Sequence, residues 1–250
     1  MVVFRFVLIF IICFALAFIT YYRGLLNLDG SVMAFIIGLF IALQGGLILI
    51  LFLLIFLASA FIATRYKFNY KKQRGIQEGF KGERGWTNVL ANGAVPVIAL
   101  LLYNSGNLIN IGFLNSNLAI SLFVLAIAAA ASDTLASEIG MASDKVYLIT
   151  TLERVKPGTN GGISAYGELW AIIGSVYTFL VAQLIFYFTD TITFSPEILL
   201  FGSFIGFLSC QIDSFLGATL ERKNILNKSI VNLLAISISA IIFGGVMYVW

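Results

Sequence analysis

The sequence predicts an all-α polytopic membrane protein of about eight transmembrane helices, forming a single integral membrane domain over residues 1–250. Three observations predict it. Of the 250 residues, 60% are hydrophobic and only 11% are charged, whereas about a quarter of a soluble domain is charged. Mean hydropathy is +1.00, which is more apolar surface than one soluble core of this size can hide. The apolar residues also come in long blocks: 6–22, 30–64, 85–132, 169–189 and 229–250 contain no Asp, Glu, Lys or Arg.

A spanning helix needs about 20 mostly apolar residues, so 30–64 and 85–132 each hold two spans. Splitting them at polar and Gly breaks gives spans at 3–22, 30–44, 46–64, 87–103, 117–138, 167–188, 197–219 and 229–249. The first lacks the strongly basic start and small-residue cleavage site of a signal peptide and is expected to be a mature helix. The second is short and ends at Gln44-Gly45-Gly46, so it is either a full span or half of a re-entrant hairpin. Basic residues set the orientation. Fourteen of the 15 Lys and Arg fall on one side of an eight-span chain, and only Arg5 falls on the other. The basic side is expected to be cytoplasmic, with both termini extracytoplasmic and the protein in a cell membrane. The opposite loops, 104–116 and 189–196, carry no Lys or Arg.

Composition narrows the function. There is no His, which excludes Ser-His-Asp hydrolysis, HExxH metalloproteases and His proton relays. Cys13 and Cys210 stand far apart in apolar runs and read as packing residues. A net charge of +3 with no basic stripe offers no nucleic-acid surface.

Function is therefore expected where cytoplasmic loops meet helix ends. Asp133 and Glu138 close the fifth span in A-A-A-A-S-D-T-L-A-S-E-I-G, and Asp213 lies inside the seventh in C-Q-I-D-S-F-L-G-A-T-L-E. A carboxylate within a span costs about 2.5 to 3.5 kcal/mol on insertion scales. Such a residue has a use or a structural ion pair. Asp133 and Asp213 are each followed by a hydroxyl residue, Thr134 and Ser214. Two hard oxygen ligands on neighbouring helices suit Mg²⁺, which binds through one or two carboxylates plus phosphate and water. Glu138 is the third candidate ligand. A five-residue step turns a helix by about 140°, so Asp133 shares a face with Ser137 and Thr134 with Glu138. Glu138 then either serves the site from a frayed end or binds a basic loop residue. Glu168, at the start of the sixth span, reads as an interfacial residue.

The loop 153–167 reads E-R-V-K-P-G-T-N-G-G-I-S-A-Y-G. Gly158, Thr159, Asn160, Gly161, Gly162 and Ser164 let backbone N–H groups converge on an anion, and Arg154 and Lys156 add charge. The helix that follows offers its N-terminal dipole to phosphate. In the loop 64–93, the first half reads as a headgroup anchor. Its end, with Lys81, Arg84, Asn88 and Asn92, leads polar groups into a span, and the two amides share one face. Arg222, Asn227 and Asn232 form a similar cluster at the turn from the seventh span to the eighth. Gly202 and Gly206 form a GxxxG step for helix packing.

Together these motifs resemble a family. S-D-T-L-A-S-E-I-G, V-K-P-G-T-N-G-G-I-S, I-D-S-F-L-G-A-T-L-E and R-G-W-T-N-V-L-A-N-G look like signatures of the integral membrane family that includes plant phytyl-phosphate kinase. The resemblance covers about residues 30 to 245. It implies phosphoryl transfer from a nucleoside triphosphate, with CTP favoured by kinship to dolichol and phytol kinases, onto an isoprenoid monophosphate. It carries over Asp133, Glu138, Asp213, Gly158 to Gly162, Ser164, Asn88, Asn92, Asn227 and Asn232. Ser132 stands where Ala is expected, and Lys228 where a smaller or amide residue is expected.

The chemistry is consistent with this reading. Phosphoryl transfer needs positioning and charge neutralisation. A phosphate monoester is already largely dianionic at neutral pH, since its second pKa is about 6, so no His base is required. Mg²⁺ on Asp133 and Asp213, with Lys156 and Arg154, would separate the two anions. An alcohol acceptor would need a carboxylate base, and Glu138 could fill that role. Two other readings stay open: a CTP-dependent cytidylyltransferase of a lipid phosphate, and a transporter, since intramembrane carboxylates serve both.

Overall fold

The computed structural model describes residues 2–79, 82–109, 116–190 and 192–249. Lys81 and residues 110–115 of the expected outer loop lie outside the described residues. The long helices are α1 (Val2–Tyr22), α2 (Leu28–Gly45), α3 (Leu47–Arg65), α5 (Trp86–Ile109), α6 (Ser116–Gly140), α7 (Ala165–Phe188), α8 (Pro196–Leu216) and α9 (Lys228–Val249). Among the described residues, these eight are long and apolar enough to cross a membrane. Two shorter pieces join them: α4 (Phe68–Gln73) and a π turn over Gly217–Glu221 that extends α8.

The second span is a complete helix. α2 has 18 residues and α3 has 19, about 27 to 29 Å each at 1.5 Å per residue, close to the ~30 Å hydrocarbon core. Gly46, with φ of 84°, makes the turn between them. The ends of the helices are capped where the sequence supplies a cap. Asn27 accepts from the Gly30 N–H, Ser164 from Gly167 and Ser195 from Ile198, each satisfying an orphan donor of the first turn.

The helices gather around α6. It packs on α3, α5, α7, α8 and α9, and 83% of its most apolar stretch is buried, against at most 39% for any other span. The reason is the run Ala126, Ala128, Ala129, Ala130 and Ala131, whose small side chains let neighbouring backbones approach. Gly174 of α7 sits so close that a Cβ there would lie 2.8 Å from the Ala131 carbonyl oxygen. Ser132 donates across the same contact to the Ala171 carbonyl at 2.9 Å, which gives this hydroxyl a use an Ala would lack. Gly202 and Gly206 face Phe179 and Ser175 of α7, as packing residues.

Two features depart from the sequence reading. The 153–167 loop is part of a small sheet of β1 (Val146–Leu148), β2 (Arg154–Val155) and β3 (Gly162–Ile163), in the order β2-β1-β3 with both pairings antiparallel. Runs of two or three residues carry no readable period-2 signal. The 64–79 stretch, expected as a headgroup anchor, makes tertiary contacts. Lys71 turns inward and is fully buried, while Tyr70 and Arg74 both donate to Asp144 beside the sheet, at 2.8 and 2.9 Å. These two bonds hold the Asp144 carboxyl below its usual range.

Candidate active site

Three motifs distant in sequence close around one cavity, where α6 and α8 end and α7 begins. It measures about 850 Å³ with its open mouth included. α6 supplies Asp133 and Ser137, α8 supplies Asp213 and Ser214, and the π turn supplies Gly217 and Glu221. The opposite wall is Gly158, Thr159, Asn160, Gly161, Gly162 and Ser164, followed by Gly167 and Glu168 in the first turn of α7. Asp133 and Ser137 share a face because four residues make roughly one helical turn.

The Gly-rich wall is held by its own backbone. Thr159 and Gly162 donate to the Lys156 and Thr159 carbonyls, and the Gly161 carbonyl accepts from Ile149, just after β1. Gly158 and Gly161 have φ of 83° and 75°, the left-handed region that favours Gly. Gly161 also lies directly on Ala218 of the π turn. The loop is thereby seated on the helix that carries Asp213.

Asn232 of α9 sits between the two carboxylates. One amide atom is 3.5 Å from Asp133 Oδ2, and the other is 3.0 Å from Asp213 Oδ2. With its nitrogen toward Asp213, the amide also donates to the Lys228 carbonyl at 2.9 Å. Among the described residues, no group of three or more Cys, Asp or Glu side chains converges to hold a metal ion unaided. Mg²⁺ does not require one, since phosphates and water complete its shell around one or two carboxylates. The donor set of Asp133 and Asp213 fits that pattern.

Glu138 does not join them, contrary to its expected role as metal ligand. Its Oε2 accepts from Lys71 Nζ at 2.6 Å and its Oε1 from Arg84 Nη2 at 3.2 Å, with the carboxylate 1% exposed. The 140° step from Asp133 turns it toward α3 and α5 and away from the cavity. It forms structural ion pairs with Lys71 of α4 and with Arg84 just before α5.

The remaining predicted residues divide. Arg154 and Lys156 are exposed and off the cavity wall. Strand β2 directs the Arg154 guanidinium to the Asp144 carbonyl, 3.2 Å away. Arg222 is exposed and is also off the wall. Asn227 caps α9 by accepting from the Ile230 N–H at 3.0 Å. Arg84, Asn88 and Asn92 line a different, largely apolar cavity between α1, α2, α3 and α5. Asn92 bonds back to Asn88, donating to its carbonyl at 3.0 Å and its side-chain oxygen at 3.2 Å.

Lys228, Glu168 and Glu221 also line the Gly-rich cavity and were not among the predicted site residues. Lys228 forms an ion pair with Glu78. Glu168 accepts from Gln211 at 2.7 Å. The signal for Lys228 was present as a charged residue in a place where the family pattern suggests a neutral one. Nothing in the sequence marked Lys71 as buried.

Comparison with known proteins agrees with the motifs. The family described as integral membrane protein DUF92 matches residues 11–240. An uncharacterized membrane protein of Methanocaldococcus jannaschii is 35% identical over 239 residues, covering 95% of this chain and 92% of that one. Protein VTE6, chloroplastic, of Arabidopsis thaliana is 31% identical over 190 residues, 72% of this chain and 53% of that one. Protein PGR of the same plant is 29% identical over 234 residues, 87% of this chain and 80% of that one. No solved structure matches. With nearly the whole chain matched from α1 to α9, this protein belongs to the DUF92 integral membrane family.

Proposed function

We propose that the protein is a prenyl-phosphate kinase: it transfers the terminal phosphoryl group of a nucleoside triphosphate, CTP by preference, to a membrane isoprenoid monophosphate. The observation that carries this reading is one cavity bounded by Asp133, Asp213, the 158–164 backbone and the N-terminus of α7. The family, whose motifs resemble those of plant phytyl-phosphate kinase, supports it.

In this reading the triphosphate lies along the Gly-rich wall and the first turn of α7, whose helix dipole favours an anion. Asp133 and Asp213 would hold Mg²⁺, which supplies positive charge between the two anions. Asn232 orients the Asp213 carboxylate by donating to it. An acceptor phosphate oxygen bonds to the γ-phosphorus, and the bond from that phosphorus to the β–γ bridging oxygen breaks. The products are a prenyl diphosphate and a nucleoside diphosphate. The acceptor oxygen is already anionic, so no side chain removes a proton. The site faces the cytoplasm of a cell membrane, on the side where basic residues collect.

The test is purified protein with γ-labelled CTP, ATP or GTP and a panel of prenyl monophosphates. Label in a lipid diphosphate supports the reading. Release of pyrophosphate with a CDP-lipid product would make the protein a cytidylyltransferase, and no turnover with any pair would remove the kinase reading.

A further inference from the structure

The apolar cavity between α1, α2, α3 and α5 has no part in the chemistry above. It measures about 930 Å³ with its open mouth included. Its wall is hydrophobic for most of its length, with Leu16, Ile37, Ile50 and Leu54 among its residues. On α1 it runs from Cys13 to Thr20, about 10 Å of helix. Only one end is strongly polar, where Arg84, Asn88 and Asn92 stand together.

That polar end adjoins the carboxylates. Asn92 and Ala130 line both this cavity and a narrow cleft shared by Asp133, Asp213 and Asn232. Asp133 and Asp213 in turn line the Gly-rich cavity. The charge there also suits an anion. Arg84, which shares Glu138 with Lys71, is the one charged side chain among the described residues lining this cavity.

We propose that this cavity holds the tail of a single-chain lipid phosphate, an isoprenoid monophosphate, with its head on Arg84, Asn88 and Asn92. The proposal rests on the kinase reading for the identity of the reaction, and on the cavity for the place of the chain. The two substrates then approach Asp133 and Asp213 from opposite sides: the nucleotide from the Gly-rich wall, the lipid from among the helices. Arg84, Asn88 and Asn92 serve the acceptor and not the nucleotide. Chain length is read by α2. A Cβ on Gly38 would meet only Ile50 Cδ1, at 3.8 Å, so a larger side chain there grows into the cavity without striking backbone.

The test uses the full chain in nanodiscs and two measurements. The first is photo-crosslinking with geranylgeranyl monophosphate carrying a diazirine at its tail end, mapped by peptide mass spectrometry. Adducts are expected within 13–20 of α1 and 50–57 of α3. The second is kinetics of Gly38→Phe, with Gly38→Ala as a milder step. Gly38→Phe should raise the KM ratio of geranylgeranyl to dimethylallyl monophosphate by about tenfold, the effect of ~1.4 kcal/mol of lost binding. Adducts on the outer faces of α7 or α8, an absence of adducts, or an unchanged KM ratio overturns the proposal, even if the wild-type protein turns over. Adducts in the cavity with no turnover by any nucleotide overturn the kinase reading and leave the lipid site standing.

Discussion

Lys71 Nζ and Glu138 Oε2 meet at 2.6 Å with both side chains 1% exposed. The other two ammonium donors reach the Ala63 and Glu138 carbonyls, at 3.2 and 3.3 Å, which uses all three that a Lys possesses. The pair ties α4 to the end of α6, about one turn beyond Asp133. Removing one partner of such a pair typically costs about 3 to 5 kcal/mol, because the other is left buried and uncompensated. Lys71→Ala should therefore lower the Tm of the detergent-solubilised protein sharply. Lys71→Met with Glu138→Leu should cost less than the two single changes combined. A Lys71→Ala protein with wild-type Tm would mean the loop opens to water in solution.

Asp133→Asn and Asp213→Asn should each abolish turnover and leave the protein folded. Removing a half-buried charge relieves desolvation, and Asn232 can still hydrogen-bond an amide at either position. Activity and thermal unfolding measured on the same preparations decide it. A variant that keeps most of its turnover removes that carboxylate from the set proposed to hold Mg²⁺.

The sequence made the helices legible because bilayer thickness fixes their length and composition fixes their character. Every expected span has its helix, with ends displaced by only a few residues. The clustering of Asp133, Asp213 and the Gly-rich loop was also legible, since three polar motifs interrupt apolar runs at corresponding helix ends. The destination of each long cation was not. Lys71, Arg84, Arg154 and Lys156 all sit in polar loop sequence, yet one is buried, one closes an ion pair, one caps the sheet and one is exposed. Such side chains have reach enough to follow tertiary contacts that local sequence does not encode. The same holds for Asn88 and Asn92, whose shared helix face was predicted but whose cavity depends on where α1 and α2 lie.

Gly161→Ala should damage nucleotide use far more than Gly245→Ala. At Gly161 the φ is +75°, and a Cβ would lie 2.6 Å from Ala218 Cα and closer still to its nitrogen. The loop must leave its seat on the π turn. At Gly245 of α9 nothing lies within 4 Å of a new Cβ. The expected result is a rise of about tenfold or more in nucleotide KM for Gly161→Ala and an unchanged one for Gly245→Ala. Equal effects would show that the loop's backbone conformation does not matter for binding.

Asp144 gives a pH dependence to the clasp between the 66–79 segment and the sheet. Hydrogen bonds from Tyr70 and Arg74 hold its carboxyl below the usual 3.8. Its folded value is depressed, so the clasp is fully present above the usual value and is lost as pH falls through the lowered one. Cleavage of the 66–79 segment by an acid protease, followed from about pH 5 to about pH 2, should accelerate at the low end. Asp144→Asn should be cleaved rapidly throughout, with a flat profile. A wild-type rate that does not change with pH would detach Asp144 from control of that segment.

Lys228 and Lys156 offer the clearest contrast between the structural site and the sequence motif. Lys156 belongs to the motif, stands two residues before Gly158 and is exposed off the cavity. Lys228 lies outside the quoted motifs, at the start of α9, yet it lines the cavity with Asp133, Asp213, Glu168 and Glu221. Among four carboxylates it is the basic residue of that wall, and Glu78 holds its ammonium at the rim. An incoming triphosphate can displace Glu78, because it offers more negative charge to the same donors. A charge-assisted contact is worth about 1.5 to 3 kcal/mol, so Lys228→Ala should raise nucleotide KM by about tenfold or more. Lys156→Ala should change it by no more than a few-fold, in line with the small value of solvated charges. Neither should move the prenyl-phosphate KM appreciably, since that substrate is placed on Arg84, Asn88 and Asn92. Steady-state kinetics with each substrate varied in turn separates the cases. If Lys156→Ala has the larger effect on nucleotide KM, β2 must shift when nucleotide binds and carry Lys156 onto the cavity wall.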